Sequence, residues 1–316
     1  MSGSSAKKVI VVFGATGAQG GGVVKYLAAN DDFAIRAITR SVDSNKAVAL
    51  IADGHQVVSA DLNKPETLPA AFEGAYGAFV VTSFWDPTSV SGENSEKAQA
   101  QRAISAAKAA GVQHFIWSTL PNSKKITEGK LEVKHFSDKA EVDDDVIAAG
   151  FKYYSFVYPP FYYQNLGTMM VPYPQEDGSK AWMFPISQSA KVVNAGDITE
   201  MGAVVAAAFA KPELSGSGAR LAVGHKAISF GQMVETLNEQ GHNFEWIQVP
   251  GDEKWDAMFS GALEFREMFD YWVMAGSYYG GKEAEAAYFE ATEKLLPDFK
   301  FKTFAEWAEY NMPVEE

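Results

Sequence analysis

The sequence contains no cysteine. That excludes a disulfide framework, a thiolate nucleophile and any zinc site built on sulfur. Basic residues are scarce: 27 Lys and Arg stand against 40 Asp and Glu, for a formal net charge of -13. A surface that tracks nucleic-acid phosphates needs a basic patch, so direct nucleic-acid binding is not expected. The five histidines, at 55, 114, 135, 225 and 242, show no H-x-x-x-H or histidine–carboxylate spacing, and no metal site is expected. No apolar run approaches the ~18 residues of a membrane-spanning helix. Met1–Ala6 is short and polar, without the apolar segment of a secretory signal. The expectation is a soluble cytoplasmic protein that does not contact a membrane. What is present is a chain of 316 residues with 47% hydrophobic content, enough for one large core or for two lobes.

The most informative stretch lies near the N-terminus. Lys7-Lys8 gives way to the apolar run Val9–Phe13, the pattern of a strand buried on both faces of a parallel sheet. Gly14, Gly17 and Gly20 follow at GxxGxxG spacing, and Val23–Ala29 then reads as a helix. Strand, glycine turn and helix together are what a phosphate cradle needs. The turn lets backbone N–H groups approach the anion, and the helix N-terminus adds a favourable dipole. Gly14, Thr16, Gly17, Ala18, Gln19 and Gly20 are the candidate cradle residues. The spacing differs from the GxGxxG of ordinary dehydrogenases, and a purely structural turn is the alternative.

Phe33–Thr39 is the second strand and ends at Arg40-Ser41. An NAD site places an acid about 20 residues past the glycines for the ribose 2′-hydroxyl, whereas a 2′-phosphate calls for arginine. Arg40 therefore favours NADP(H), with NAD(H) as the alternative. His55–Ala60 is a third strand that delivers Asp61 and Leu62 to the edge where an adenine would lie. Ala75–Thr82 is a fourth, opening into Ser83-Phe84-Trp85-Asp86, and His114–Trp117 is a fifth, leading to Ser118 and Thr119. A helix is expected over Glu93–Ala110 and another over Glu128–Ala149, the latter carrying Lys130, Lys134, His135 and Lys139. Tyr153–Tyr158 is a sixth strand. Such alternation after a glycine turn predicts a doubly wound parallel α/β sheet, whose ligands bind beyond the strand C-termini. Thr16, Arg40, Asp61, Thr82 and Ser118 should then face one crevice.

Past Tyr158 the character changes, and 1–158 and 159–316 are the expected divisions. The second is mainly a smaller C-terminal α/β lobe with some segments returning to the sheet. Residues 168–190 read as a loop. Asp197 reads as an N-cap with Glu200 completing a capping box, and Ser229 as the cap of a further helix. Strands are expected at Leu221–Val223 and Phe244–Pro250. The aromatic stripe Trp255, Phe259, Phe265, Phe269, Tyr271, Trp272, Tyr278, Tyr279 reads as packing of a small helical lobe. Phe299–Tyr310 reads as a terminal docking helix.

Gly14–Gly20, Thr39-Arg40, Thr82–Trp85, His135–Lys139 and Pro159–Leu166 together resemble the NmrA-like family, an atypical branch of the short-chain dehydrogenase/reductase superfamily. The resemblance covers most of the chain. It implies a Rossmann-type domain with a smaller C-terminal lobe. Cofactor contacts are implied at Thr82, Ser83, Phe84, Lys139, Tyr158, Tyr162 and Asn165, and a substrate pocket around Trp85, Thr119, Tyr163 and Trp182. The superfamily's Tyr-x-x-x-Lys is replaced here by His135-Phe136-Ser137-Asp138-Lys139. Lys139 falls on the family's lysine, and histidine stands in place of the acid tyrosine.

Two functions follow from that departure. The family's regulators lack the tyrosine as well, which favours a redox-responsive regulator acting through a transcription factor or other protein partner, in the cytoplasm and also the nucleus. The isoflavone-reductase-like enzymes also lack it, which keeps an NADPH-dependent reductase of a small aromatic carbonyl, quinone, imine or unsaturated substrate in view. In an enzyme, Lys139 or His135 supplies the proton. Lys139 can alternatively hold ribose hydroxyls as a plain cation.

Overall fold

The apolar run Val9–Phe13 becomes most of β1 (Lys8–Val12), an interior strand of the main sheet. The computed structural model describes residues 6–87 and 92–314, so the polar start read at Met1–Ser5 lies outside the described residues. After β1 come α1 (Ala18–Ala28), β2 (Phe33–Thr39), α2 (Asn45–Ala52), β3 (Gln56–Ser59), α3 (Leu68–Phe72) and β4 (Gly77–Val80). Then follow α4 (Glu96–Ala109), β5 (His114–Ser118), α5 (Ser123–Ile126), α6 (Lys134–Ala140), α7 (Val142–Ala149) and β6 (Tyr153–Tyr158). The remainder comprises β7 (Phe161–Tyr162), β8 (Tyr173–Pro174), β9 (Lys180–Phe184), β10 (Ala195–Gly196), α8 (Met201–Ala210), α9 (Pro212–Ser215) and β11 (Ser217–Ala222). It ends with α10 (Phe230–Glu239), β12 (Phe244–Gln248), α11 (Glu253–Asp256), α12 (Ala262–Ala275), α13 (Lys282–Leu295) and α14 (Phe304–Asn311).

Seven strands make one parallel sheet in the order β11-β6-β5-β4-β1-β2-β3. The chain runs outward from β1 to β3 and returns to β4 on the other side of β1. The crossing opens a crevice beyond the C-terminal ends of β1 and β4. Both faces are covered, which is why Val9–Val12 of β1 is continuously apolar rather than alternating. Ile10 and Val12 pack with Val23, Leu27 and Val204 of α1 and α8, and Val11 and Phe13 with Phe72 and Ala103 of α3 and α4. Two glycines set the α1–α8 approach. A Cβ on Gly22 would lie 2.4 Å from the Thr199 carbonyl oxygen, and one on Gly202 would lie 2.0 Å from that of Gly22.

The structure differs from expectation in three places. Residues 168–190 contain β8 and β9, which join β12 in a three-stranded sheet. The partner of β9 lies far downstream, so nothing local announces the strand. The helix expected from Glu128 starts only at Lys134. Glu128 and Gly129 adopt left-handed φ of 54° and 82°, and the Thr127 and Ser123 hydroxyls bond the main chain at Leu131 and Val133. Asp197 does cap, accepting from the Thr199 N–H at 3.0 Å, but Glu200 does not close a box. Its carboxylate accepts from the Lys302 N–H at 3.1 Å instead. The Ser229 cap forms as expected, with Gln232 completing its box. No helix among the described residues is long and apolar enough to cross a membrane.

His114 opens β5 as a fully buried ring with neither nitrogen hydrogen-bonded. It packs among Phe209, Tyr153 and Tyr76. Burial disfavours the imidazolium and lowers its pKa from 6.5 to about 3. The unfolded chain therefore takes up a proton below pH 6.5 that the folded chain refuses until about pH 3, and stability falls as pH drops through that window. At pH 5 the loss is about 2 kcal/mol. His114→Phe is expected to remove it, seen as a flatter dependence of the urea midpoint on pH between 7 and 4. An unchanged slope would show that His114 is not the acid-sensitive group.

Candidate functional site

The crevice holds two adjoining cavities that share Gly14, Gly17, Val81, Thr82 and Ser83 in their walls. One, of about 460 Å³, runs over β1, β2 and β3 and is lined by Thr16, Arg40, Asp61 and Leu62 together with Asp86. The other, of about 370 Å³, lies between α1, α6 and the C-terminal helix α12. Its walls include Ala18, Gln19, Gly20, Phe84, Trp85, His135, Lys139, Tyr162 and Asn165. Most of the residues expected at the site therefore meet in one place.

At the head of α1, Gly17 stands at the N-cap with no side-chain cap, and its own N–H turns back to Gly14 O at 2.8 Å. Among the described residues the N–H groups of Ala18, Gln19 and Gly20 have no acceptor. Three unpaired donors at a helix N-terminus beside a cavity form an anion site. A Cβ at Gly17 would meet only Gly14 O, at 3.2 Å, so its absence keeps the crevice clear more than it relieves the fold. Gly20 is different: its Cβ would fall 2.2 Å from Gly14 O, and the turn itself could not close.

Gln19 links the cradle to the second cavity, accepting from Ser118 Oγ at 2.7 Å and donating to Tyr162 Oη at 2.6 Å. Burial pushes the Tyr162 phenol up to about 12, which keeps its proton on. Lys139 is buried, and all three of its donors are engaged. Nζ reaches the Thr82 carbonyl at 2.8 Å, Thr82 Oγ1 at 2.9 Å, and the carboxylate of Glu96, which is buried at the start of α4. The other oxygen of that carboxylate, Oε2, has no partner among the described residues.

His135 is held differently. Glu264 at the start of α12 accepts from its backbone N–H at 2.8 Å and pairs with Nδ1 at 2.5 Å. That bond fixes which nitrogen carries the proton and leaves Nε2 as the ring nitrogen available to the cavity. The ring sits 5.6 Å from both Phe84 and Trp85, and Trp85 packs 5.5 Å from Phe265. Phe265, Trp272 and Tyr278 of the aromatic stripe, with Met268, also line this cavity, so the stripe both packs the lobe and walls the site.

Four expected residues are not brought here. Thr119 is buried and donates to Asp143 Oδ1 at 2.6 Å. Tyr158 bonds Arg220 and stacks 4.8 Å from Tyr288. Tyr163 packs against Phe304 and Trp307 of α14. Trp182 stacks 4.7 Å from Phe244 in the small sheet and donates to Met170 O. Side chains alternate along an extended chain, so placing Tyr162 in the crevice sends Tyr163 the other way. Glu96, Glu264 and Asp86 are the site residues that sequence reasoning did not single out.

The sheet order, with a glycine turn at its crossing point, makes this a Rossmann-type α/β protein. The model of the NmrA-like family matches residues 6–308, and the chain belongs to that family. Among curated relatives, the NmrA-like family domain-containing oxidoreductase himF of Aspergillus japonicus is 35% identical over 158 residues. That match covers 50% of this chain and spans 48% of the relative, about half its length. The oxidoreductase cpsB of Aspergillus campestris is 28% identical over 304 residues, covering 89% of this chain and 87% of that protein. Among solved structures, NmrA, a negative transcriptional regulator, in complex with NADP superposes with a TM-score of 0.75. It is 23% identical, over 98% of this chain and 96% of that one.

Proposed function

We propose that this protein is an NADP(H)-dependent reductase of a small, flat aromatic or conjugated carbonyl, quinone or imine. The observation that carries the reading is the open aromatic cavity of about 370 Å³, which adjoins the glycine turn and contains His135 with its Glu264 partner. A regulator that only senses cofactor has little need of such a cup. The names of himF and cpsB as oxidoreductases, and the NADP held by NmrA, are consistent with it.

The residues present fit a dinucleotide. The unpaired N–H groups of Ala18, Gln19 and Gly20 would hold the pyrophosphate, and Thr16, Asp61 and Leu62 line the pocket for the adenosine half. Arg40 would meet a 2′-phosphate, with NAD(H) as the second choice. Thr82, Ser83, Phe84, Tyr162 and Asn165 would lie along the nicotinamide half. When bound, a reduced nicotinamide supplies a hydride. Phe84, Trp85 and Phe265 exclude water and clamp the flat substrate, and His135 in its imidazolium form, with Nδ1–H on Glu264, donates the Nε2 proton to the substrate's oxygen or nitrogen and is left neutral. Lys139 braces Thr82 at the cavity wall.

The test is a screen of NADPH oxidation against quinones, aromatic aldehydes, ketones and cyclic imines, run on wild type and Gly17→Val. Turnover is expected with at least one class. Gly17→Val is expected to lose more than 100-fold in NADPH affinity and in rate while keeping a native circular dichroism spectrum, because its side chain fills the crevice rather than the fold. The regulator reading rests on the absent tyrosine and on the fully engaged Lys139. No turnover across the panel, with NADP(H)-dependent binding of a purified transcription factor, would establish it instead.

A further inference from the structure

The dinucleotide pocket contains a charge arrangement that the proposed function does not use. Arg40, the residue facing a 2′-phosphate, already has an anion: its Nη1 lies 2.6 Å from Asp86 Oδ2. Both residues line the same cavity, as does Asp61, and Lys46 Nζ bonds the Thr16 carbonyl on its wall at 3.1 Å, so a phosphate there would meet carboxylates as well as cations among the described residues. Asp61 is occupied locally, its Oδ1 accepting from the Asn63 N–H at 2.9 Å. Asp86 is paired with the cation itself. It sits on the segment after β4, its N–H bonded to Ser83 O at 3.3 Å, and its carboxylate reaches across the pocket to the guanidinium. The aspartate side chain is 16% exposed and the arginine 58%, so Asp86 is the sheltered partner and Arg40 the one that lies open to solvent.

We propose that Asp86 is a built-in competitor for the anion at Arg40 and thereby sets the preference between a dinucleotide carrying a 2′-phosphate and one carrying a 2′-hydroxyl. The inference rests on the dinucleotide reading given above. A 2′-phosphate must displace Asp86 from Arg40 or share the guanidinium with it, and in either case stands near a like charge. A 2′-hydroxyl meets no such opposition, because it is neutral and can donate to the carboxylate. Arg40 alone would make the pocket strongly selective for NADP(H). With Asp86 present the preference narrows, and NAD(H) stays within reach. Exposed ion pairs are weak, so the competitor trims phosphate binding and does not abolish it.

The test is calorimetric titration of NADPH and NADH into wild type, Asp86→Asn, Arg40→Met and the double variant, with Asp86→Ser as a second neutral replacement. Asp86→Asn is expected to tighten NADPH about 3–10-fold and to leave NADH unchanged or weaker. In the Arg40→Met background that gain is expected to disappear, since there is no guanidinium left to compete for. Weaker NADPH binding in Asp86→Asn, or an equal change for both dinucleotides, would overturn the proposal. So would a gain that survives intact in Arg40→Met, which would make Asp86 a simple repulsive charge. Wild type that binds neither dinucleotide would overturn the reading of the crevice itself. Both binding with a ratio unmoved by Asp86→Asn would overturn only the competitor.

Discussion

Glu96→Ala is expected to destabilise the protein by about 3–5 kcal/mol. The carboxylate is buried at the start of α4 and, among the described residues, is the only anion bonded to the buried ammonium of Lys139, whose other two contacts, both to Thr82, are neutral. Removing it leaves a charge out of water with no counter-ion. Lys139→Met is expected to cost a similar amount for the mirror-image reason, since it strands the Glu96 carboxylate, one of whose oxygens already lacks a partner. Replacing both, as in Glu96→Leu with Lys139→Met, should recover most of the loss, because apolar side chains of like volume carry no desolvation penalty. A double-mutant cycle read by urea denaturation checks this, with an expected coupling of about 2 kcal/mol or more. Additive single losses would mean that the pair is solvated and does not act as a unit.

That pair also shows how far the sequence could be read. The strands of the main sheet were legible because burial on both faces writes an apolar run, unbroken at Val9–Phe13 and interrupted only by Arg36 over Phe33–Ile38. The glycine turn was legible because each glycine has a local steric or ligand reason. Lys139 was found through a motif, but its partner was not. Glu96 stands one residue after the Ser95 cap, where an acid is an ordinary response to the helix dipole. Nothing in the local pattern separates a buried Glu96 from a solvated one. Glu264 lies 129 residues from His135, and only the docking of α12 beside α6 brings them together. Tyr163 and Trp182 went astray for a different reason. Each lies in or beside a short strand whose facing cannot be fixed without its partner, and a one-residue error reverses every side chain.

In the proposed reductase the proton comes from one of two residues, and the proposal gives it to His135. His135→Phe is expected to lower kcat by 10²–10⁴-fold, the usual worth of a general acid, while NADPH affinity and stability stay near wild type. Phenylalanine keeps the ring that packs against Phe84 and Trp85, and Glu264 loses its Nδ1 partner but keeps the backbone N–H of residue 135. Glu264→Gln should give a smaller drop. It keeps an acceptor for the His135 Nδ1–H and backbone N–H but removes the negative charge facing the imidazolium that proton donation requires. Lys139 cannot be tested by a single substitution, because unfolding would pass for lost catalysis. The Glu96→Leu/Lys139→Met double variant, in which the stranded charge is gone, is where the question can be put. There kcat is expected to stay within about tenfold of wild type, since the lysine's three donors face Thr82 and Glu96 rather than a ligand. A loss of 100-fold or more in that variant, measured on folded protein saturated with NADPH and paired with a near-normal His135→Phe, would reverse the assignment and make Lys139 the acid.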